Sequence, residues 1–267
     1  MKSYIVDAFT QEPFKGNQAA VCFPQEMLSD EKMLKIAQEF NYSETAFVRE
    51  TGKPGTYTIR YFSPKMEIPL CGHATIASSK VVFDNTDLNE LHFITGENLD
   101  LFIKRRGDEI VMEFPVYDTS AAEARPEMLE ALRLTEVDET AFCNEKRIFI
   151  LQIADAGALA ALSPDFEALL KSHNDIRGVV VTALGNNTEY DFHYRYFWPW
   201  SGTNEDPVTG GIQTFLAKYW GEKLGKKKMM AYQPSARTGQ MSLELMGNTV
   251  LLAGHAVIIF EGNLVSF

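Results

Sequence analysis

Arg60 to Ser79 reads RYFSPKMEIPLCGHATIASS, and Arg195 to Ala217 reads RYFWPWSGTNEDPVTGGIQTFLA. Both stretches open Arg-Tyr-Phe-X-Pro, pass through a polar loop to a glycine, Gly72 or Gly210, and continue into an apolar, helix-like segment. The copies lie about half a chain apart, so the sequence predicts two related halves, each organised around one loop and helix. A helix that starts at a glycine turn offers free backbone N–H groups and the positive end of its dipole, which suits an anion. The expectation is that the two helix starts face one cleft and hold a small carboxylate from both sides. Either glycine alone would read as the cap of a core helix. The repetition, with His73 beside one glycine and Asp206 before the other, points instead to a functional cleft.

Composition narrows the classes. The chain has 267 residues, 45% apolar and 23% charged, enough for two domains of ordinary soluble composition. A net charge of −11 argues against a nucleic-acid partner, because phosphate binding needs a basic face. No apolar run reaches the length of a membrane span, and no leading segment has the pattern of a signal peptide. Cys22, Cys71 and Cys143 are too few and too scattered for a disulfide framework or a metal site, which points to a reducing, cytoplasmic setting. The histidines lack metal-ligand spacing, and no glycine-rich phosphate motif is present, so neither a metal nor a cofactor is expected.

Along the chain, Tyr4 to Phe9, Gln18 to Phe23, Ala46 to Val48 and Thr56 to Phe62 read as strands. A helix is predicted from an N-cap at Ser29 to about Phe40, ended by Asn41, and a second from His73 to Phe83. Leu99 to Lys104 and Glu109 to Phe114 form a hairpin around Arg-Arg-Gly-Asp. Pro115 to Arg125 is the linker, which divides the chain into 1–117 and 118–267, with room for the final strand to cross back. In the second half a helix starts at Pro126, and Ser163-Pro164-Asp165 starts another with proline at its first position. A central helix runs from Gly210 to Trp220, with Gly221 as its stop. Strands are expected at Arg147 to Ile153, Val179 to Ala183, Tyr190 to Trp198, Met241 to Leu245 and Val250 to Phe260. Several strands between a few helices, without regular βαβ alternation, indicate an α+β fold.

Four blocks carry a resemblance: VDAFTQEPFKGNQAAV from Val6, SETAFV from Ser43, IPLCGHATIA from Ile68 and EDPVTGG from Glu205. In this order and spacing they resemble the PhzF family of phenazine-biosynthesis-like isomerases, over most of the chain. The resemblance implies two pseudo-symmetric lobes, each a curved sheet wrapped round a central helix, as in diaminopimelate epimerase. It implies that Glu44 is the general acid/base, that His73 and Asp206 complete the catalytic set, and that Asn17, Ser43, Gly72, Gly210 and Gly211 contact substrate. It also implies a homodimer.

The residues can be read without it. Glu44 lies among Tyr42, Ala46 and Phe47, where desolvation would raise its pKa toward working pH, as a carbon base requires; most glutamates, however, are exposed strand-end carboxylates. His73 at a helix start would be held neutral by the dipole and could shuttle a proton, or it could serve as a structural cap. Asp206 is placed to cap the second helix, and Asn17 and Ser43 could equally be turn residues. Two features depart from the family pattern. Gly211 stands where the family usually has serine, and Thr209 stands where related epimerases carry a second thiol, so Cys71 is expected to be a small packing residue. The reading that results is a cofactor-independent isomerase that moves a proton within a small unsaturated or cyclic carboxylic acid. An amino-acid epimerase or a non-catalytic carboxylate-binding protein are the alternatives.

Overall fold

The structure is a computed structural model that describes residues 1–186 and 188–266. The chain divides into two compact units, Met1–Glu113 with Leu251–Phe267, and Phe114–Val250.

In the first unit, strands Lys2–Ala8 and Asn17–Phe23 pair antiparallel, and Ala256–Asn263 adds to the other side of Lys2–Ala8. Helix α1 (Asp30–Phe40) then crosses over so that Glu44–Glu50 lies parallel to Asn17–Phe23. Its ends are as the sequence predicts. The Ser29 side chain accepts from the Lys32 N–H, and Asn41 closes the helix in the left-handed region at φ 53°. Glu44–Glu50 turns antiparallel into Thr56–Phe62. Helix α2 (Gly72–Asp84) makes a second crossover, to Glu90–Thr95, parallel to Thr56–Phe62. Asp100–Arg106 and Glu109–Pro115 follow as antiparallel neighbours around the predicted hairpin.

Helix α2 is the axis of this unit. Ten of its residues are buried, on every face, as a helix surrounded by sheet requires. Its buried hydroxyls are satisfied within the helix: Thr75, Ser78 and Ser79 each donate to the carbonyl four residues earlier, at 2.7 Å. Beneath α1 a small cluster of Cys22, Met33, Ile36, Phe47 and Phe62 includes an edge-to-face pair, Phe47–Phe62, at 5.7 Å. Full burial of one such ring contributes about 1.5–3 kcal/mol.

The second unit repeats the order. Glu139–Cys143 and Ile148–Gln152 are antiparallel. Helices α3 (Pro126–Leu132), α4 (Ala156–Ala161) and α5 (Phe166–Ser172) cover Gly178–Leu184, which runs parallel to Ile148–Gln152. Gly178–Leu184 turns into antiparallel Phe192–Trp198. Helix α6 (Gln213–Leu224) crosses to Lys228–Gln233, parallel to Phe192–Trp198, and Gly239–Met246 follows antiparallel. Helix α6 is the buried axis here, with the Trp220 Nε1 donating to Thr182 and the Tyr219 hydroxyl to Gln152.

Some boundaries differ from expectation. Helix α6 starts at Gln213, three residues after Gly210, and runs through Gly221 to a left-handed cap at Gly225. Gly221 is a packing glycine: a Cβ there would lie 2.5 Å from Leu245 Cδ1. Helix α5 is capped by Asp165, which accepts from the Ala168 N–H, so Pro164 lies before the cap. The last predicted strand is two, Thr249–Gly254 and Ala256–Asn263, broken where the His255 carbonyl accepts from Phe9 N–H. No helix among the described residues is long and apolar enough to cross a membrane, and all three cysteines are free and buried.

Candidate active site

The parallel pairing of Ala19 with Glu44 sets the start of one strand beside the start of the next. Asn17 opens the first of these strands, Glu44 opens the second, and Gly72 opens α2. Their side chains converge. His73 Nε2 lies 3.1 Å from Glu44 Oε2 and 3.3 Å from Ser43 Oγ, and the Ser43 hydroxyl donates to Asn17 Oδ1 at 3.5 Å. Glu44 and His73 are only 6% and 7% exposed, so the pair faces solvent through a narrow opening. The structure thus brings Asn17, Ser43, Glu44, Gly72 and His73 into one cluster of the first unit.

Cys71 is part of it. The thiol Sγ lies 3.4 Å from His73 Nδ1 and 3.8 Å from Nε2. Cys71 is buried, as the small packing residue expected would be, and its sulfur also contacts His73. Cys71 occupies the N-cap position of α2 without a side-chain cap bond, which turns its sulfur toward the histidine two residues on. Glu44, Cys71 and His73 each offer one metal-ligand atom, and these atoms all lie within 4.8 Å of one another.

The charge states also differ from expectation. Burial by itself pushes the Glu44 carboxyl up, but the hydrogen bond and charge of His73, with smaller help from Ser43 and Cys71, outweigh it and hold the carboxyl below its ordinary range. Burial disfavours the His73 cation, yet the Cys71 sulfur and the Glu44 carboxylate on either side raise its pKa well above the usual value. The pair is therefore a carboxylate and an imidazolium, where the sequence reading had a proton-hungry glutamate and a neutral histidine. Burial raises the Cys71 pKa, and the nearby Glu44 charge adds to it against the pull of His73.

The remaining expected residues belong to the second unit. Asp206 ends the strand Thr203–Asp206, is 9% exposed, and accepts from the Thr209 hydroxyl at 2.5 Å. It does not cap α6, whose N-cap is Ile212, because the chain spends Pro207 to Gly211 in the intervening turn. That turn is held by Gln233, whose Nε2 donates to the Asp206 carbonyl and whose Oε1 accepts from the Thr209 N–H, at 2.5 and 2.9 Å. A Cβ at Gly211 would meet nothing within 4 Å, and one at Gly72 only Met112 Cε at 3.9 Å. Packing does not demand glycine at either position.

Sequence reasoning named Cys71 but missed its contact with His73. Its signal was present as the i, i+2 spacing to His73 across a helix start, where both side chains can turn to the same side.

Comparison with known proteins agrees over the whole length. Residues 6–262 match the model of the phenazine biosynthesis-like protein family, PhzC-PhzF. A Pseudomonas aeruginosa protein named as an uncharacterized isomerase is 40% identical over 97% of this chain and 96% of its own. A crystal structure of a phenazine biosynthesis protein of the PhzF family from Enterococcus faecalis superposes with a TM-score of 0.92 at 36% identity, covering 99% of both chains. A probable proline racemase from Agrobacterium radiobacter, at 9% identity and a TM-score of 0.61 over 99% of this chain and 92% of its own, shares the fold.

Proposed function

The chain belongs to the PhzF family of isomerases, and from that premise we propose that it moves a proton within a small unsaturated or cyclic carboxylic acid, with Glu44 as the acid/base. The observation that supports this most is the buried Glu44–His73 pair, at 3.1 Å, at the start of α2. A carbon acid needs a base held close and an oxygen-stabilising donor beside it. Glu44 as carboxylate takes the proton. His73 as imidazolium donates to the oxygen on which charge develops, and Ser43 fixes the ring from the same side.

The lowered proton affinity of Glu44 belongs to the pair rather than to the site as such. A substrate oxygen that takes over the hydrogen bond from His73 removes the main influence that lowers it. Burial then raises the proton affinity toward that of a working carbon base, so binding arms the base. Glu44 returns a proton to another carbon after it has exchanged with solvent on the carboxyl, and no cofactor is needed for the shift. The ligand proposed is a small carboxylate, the setting cytoplasmic and the assembly a homodimer.

An amino-acid epimerase is the second reading, favoured by Cys71 at the other nitrogen of His73. Inversion at one carbon with solvent deuterium incorporated distinguishes it from a shift between carbons. The test of the first reading is solvent-exchange NMR over a panel of cyclic and unsaturated amino and hydroxy acids. Glu44→Gln keeps the shape and removes the base, so exchange should fall at least about 100-fold, with the melting temperature within a few degrees of wild type. A glutamine variant that exchanges as fast as wild type would sink the proposal.

A further inference from the structure

We infer that Glu44, Cys71 and His73 form a three-ligand site for a zinc-like divalent ion, with a fourth position open to water or a ligand oxygen. The three residues offer an oxygen, a sulfur and a nitrogen, the donor set that zinc favours. With the bond lengths usual for zinc, a tetrahedral centre needs ligand atoms about 3.4–3.6 Å apart. His73 Nε2 is 3.1 Å from Glu44 Oε2 and 3.8 Å from Cys71 Sγ, on either side of that range. All donor atoms lie within 4.8 Å of one another, so a carboxylate turn of about one ångström closes the set.

The surroundings suit an ion. Ser43 Oγ lies 3.3 Å from His73 Nε2 and donates to Asn17 Oδ1, so a hydroxyl stands beside the donor set. Each of the three residues keeps a small exposed face, 6–7%, which gives the ion a path in. A divalent ion is matched there by the two anionic donors that Cys71 and Glu44 supply when they ligate.

Such an ion occupies the atoms that would otherwise handle the substrate proton. It therefore blocks turnover, and only this inhibitory consequence rests on the proposed proton shift. The binding itself does not.

The test uses the full chain freed of metal by chelation, titrated with cobalt(II) in the spectrophotometer and with zinc by calorimetry. The expected result is one ion per chain, with a thiolate-to-cobalt charge-transfer band in the near ultraviolet. Cys71→Ser abolishes the band and weakens zinc at least about tenfold, and Glu44→Gln weakens it while keeping the band. Cys143→Ser, in the other unit, leaves both unchanged. A wild-type cobalt complex without a thiolate band overturns the inference whether or not Cys71→Ser folds. Zinc affinity that is equal in wild type, Cys71→Ser and Glu44→Gln overturns it too. Exchange assays with and without zinc form a separate arm. A chain that binds zinc through Cys71 but exchanges no carboxylate would end the proposed reaction and leave the metal site standing.

Discussion

The two units share one frame and differ in what they hang on it. In the first, Arg60 donates from Nε to Glu67 at 2.7 Å and sits over the Phe62 ring at 5.2 Å; in the second, Arg195 donates to Glu205 at 2.7 Å and sits over Phe197 at 5.0 Å. The acids occupy matching places, Glu67 opposite Phe62 and Glu205 opposite Phe197. The register then pairs positions across the units. Tyr61 faces Ala46 and Tyr196 faces Val180, so the counterpart of Glu44, two residues earlier, is Gly178. Cys71-Gly72-His73 likewise corresponds to Thr209-Gly210-Gly211. One unit places an acid, a thiol and an imidazole where the other has a glycine, a hydroxyl and a glycine. Backbone pairing and the arginine clamp carry the fold in both units, and the chemistry is confined to positions that the clamp leaves free.

The largest contrast expected between the units concerns the clamps. Arg195 is buried, makes a two-pronged contact with Glu205 and donates to the carbonyls of Leu159, Ala160 and Leu162. Arg195→Ala leaves a half-buried carboxylate and three carbonyls without their donor, and should cost about 3 kcal/mol in urea unfolding. Arg60 reaches Glu67 and Asp30, and the Asp30 side chain is 76% exposed, so Arg60→Ala should cost about 1 kcal/mol. Equal losses would mean that the two clamps bear the same weight and that burial does not set it.

Next is the site where the frames diverge. A Cβ at Gly178 would lie 2.5 Å from the Tyr196 ring, so this position admits no side chain, let alone a glutamate. Gly178→Ala should destabilise by about 1–3 kcal/mol through overpacking. A neutral alanine would show that the tyrosine yields, and that the second unit could have housed an acid.

A third effect separates the units by pH. The folded pKa of Glu44 is lowered, so its contribution is present above its ordinary 4.5 and is lost as pH falls through the folded value. That of His73 is raised, so its contribution is full below 6.5 and is lost as pH rises through the folded value. The stability difference between wild type and His73→Asn should therefore be widest between these two values and narrow on both sides. A difference that does not vary with pH would mean that the pair is not ionic.

The frame was largely legible. Repetition of Arg-Tyr-Phe-X-Pro marks the two strands and their crossovers because both ends of the clamp lie close in sequence. Helix α1 was legible because Ser29 and Asn41 supply the local chemistry of its ends. Glu90–Thr95 was not: Leu91, Phe93 and Thr95 are buried in alternation, but the run is short and follows a polar turn. Lys228–Gln233 alternates in the same way behind three lysines. The members of the site were named, but their charge states were not. Those depend on Glu44 and His73 meeting at 3.1 Å, a contact between the start of a strand and the start of a helix that no local pattern encodes. The Cys71–His73 contact was hidden for the same reason, since it lies in the direction of a side chain.

The smallest structural effect, with the sharpest functional one, is expected at Gly211. A Cβ there meets nothing within 4 Å and the backbone is outside the left-handed region, so Gly211→Ser should change stability by less than about 0.5 kcal/mol. Strain therefore does not confound the substitution, in contrast with Gly178→Ala. If the hydroxyl usual in the family serves the substrate, its absence leaves a polar group of a cyclic hydroxy acid unpaired, at about 1–3 kcal/mol where that group is buried. Serine should then tighten binding of this acid about ten- to a hundredfold, read by calorimetry. The corresponding position of the first unit is His73, so the substitution also adds a hydrogen-bonding group to the half that has a bare glycine there. An affinity for the ring acid that is the same with glycine and with serine would show that Gly211 does not set specificity. The division of labour between the units would then be complete, with discrimination as well as proton transfer in the half that holds Glu44.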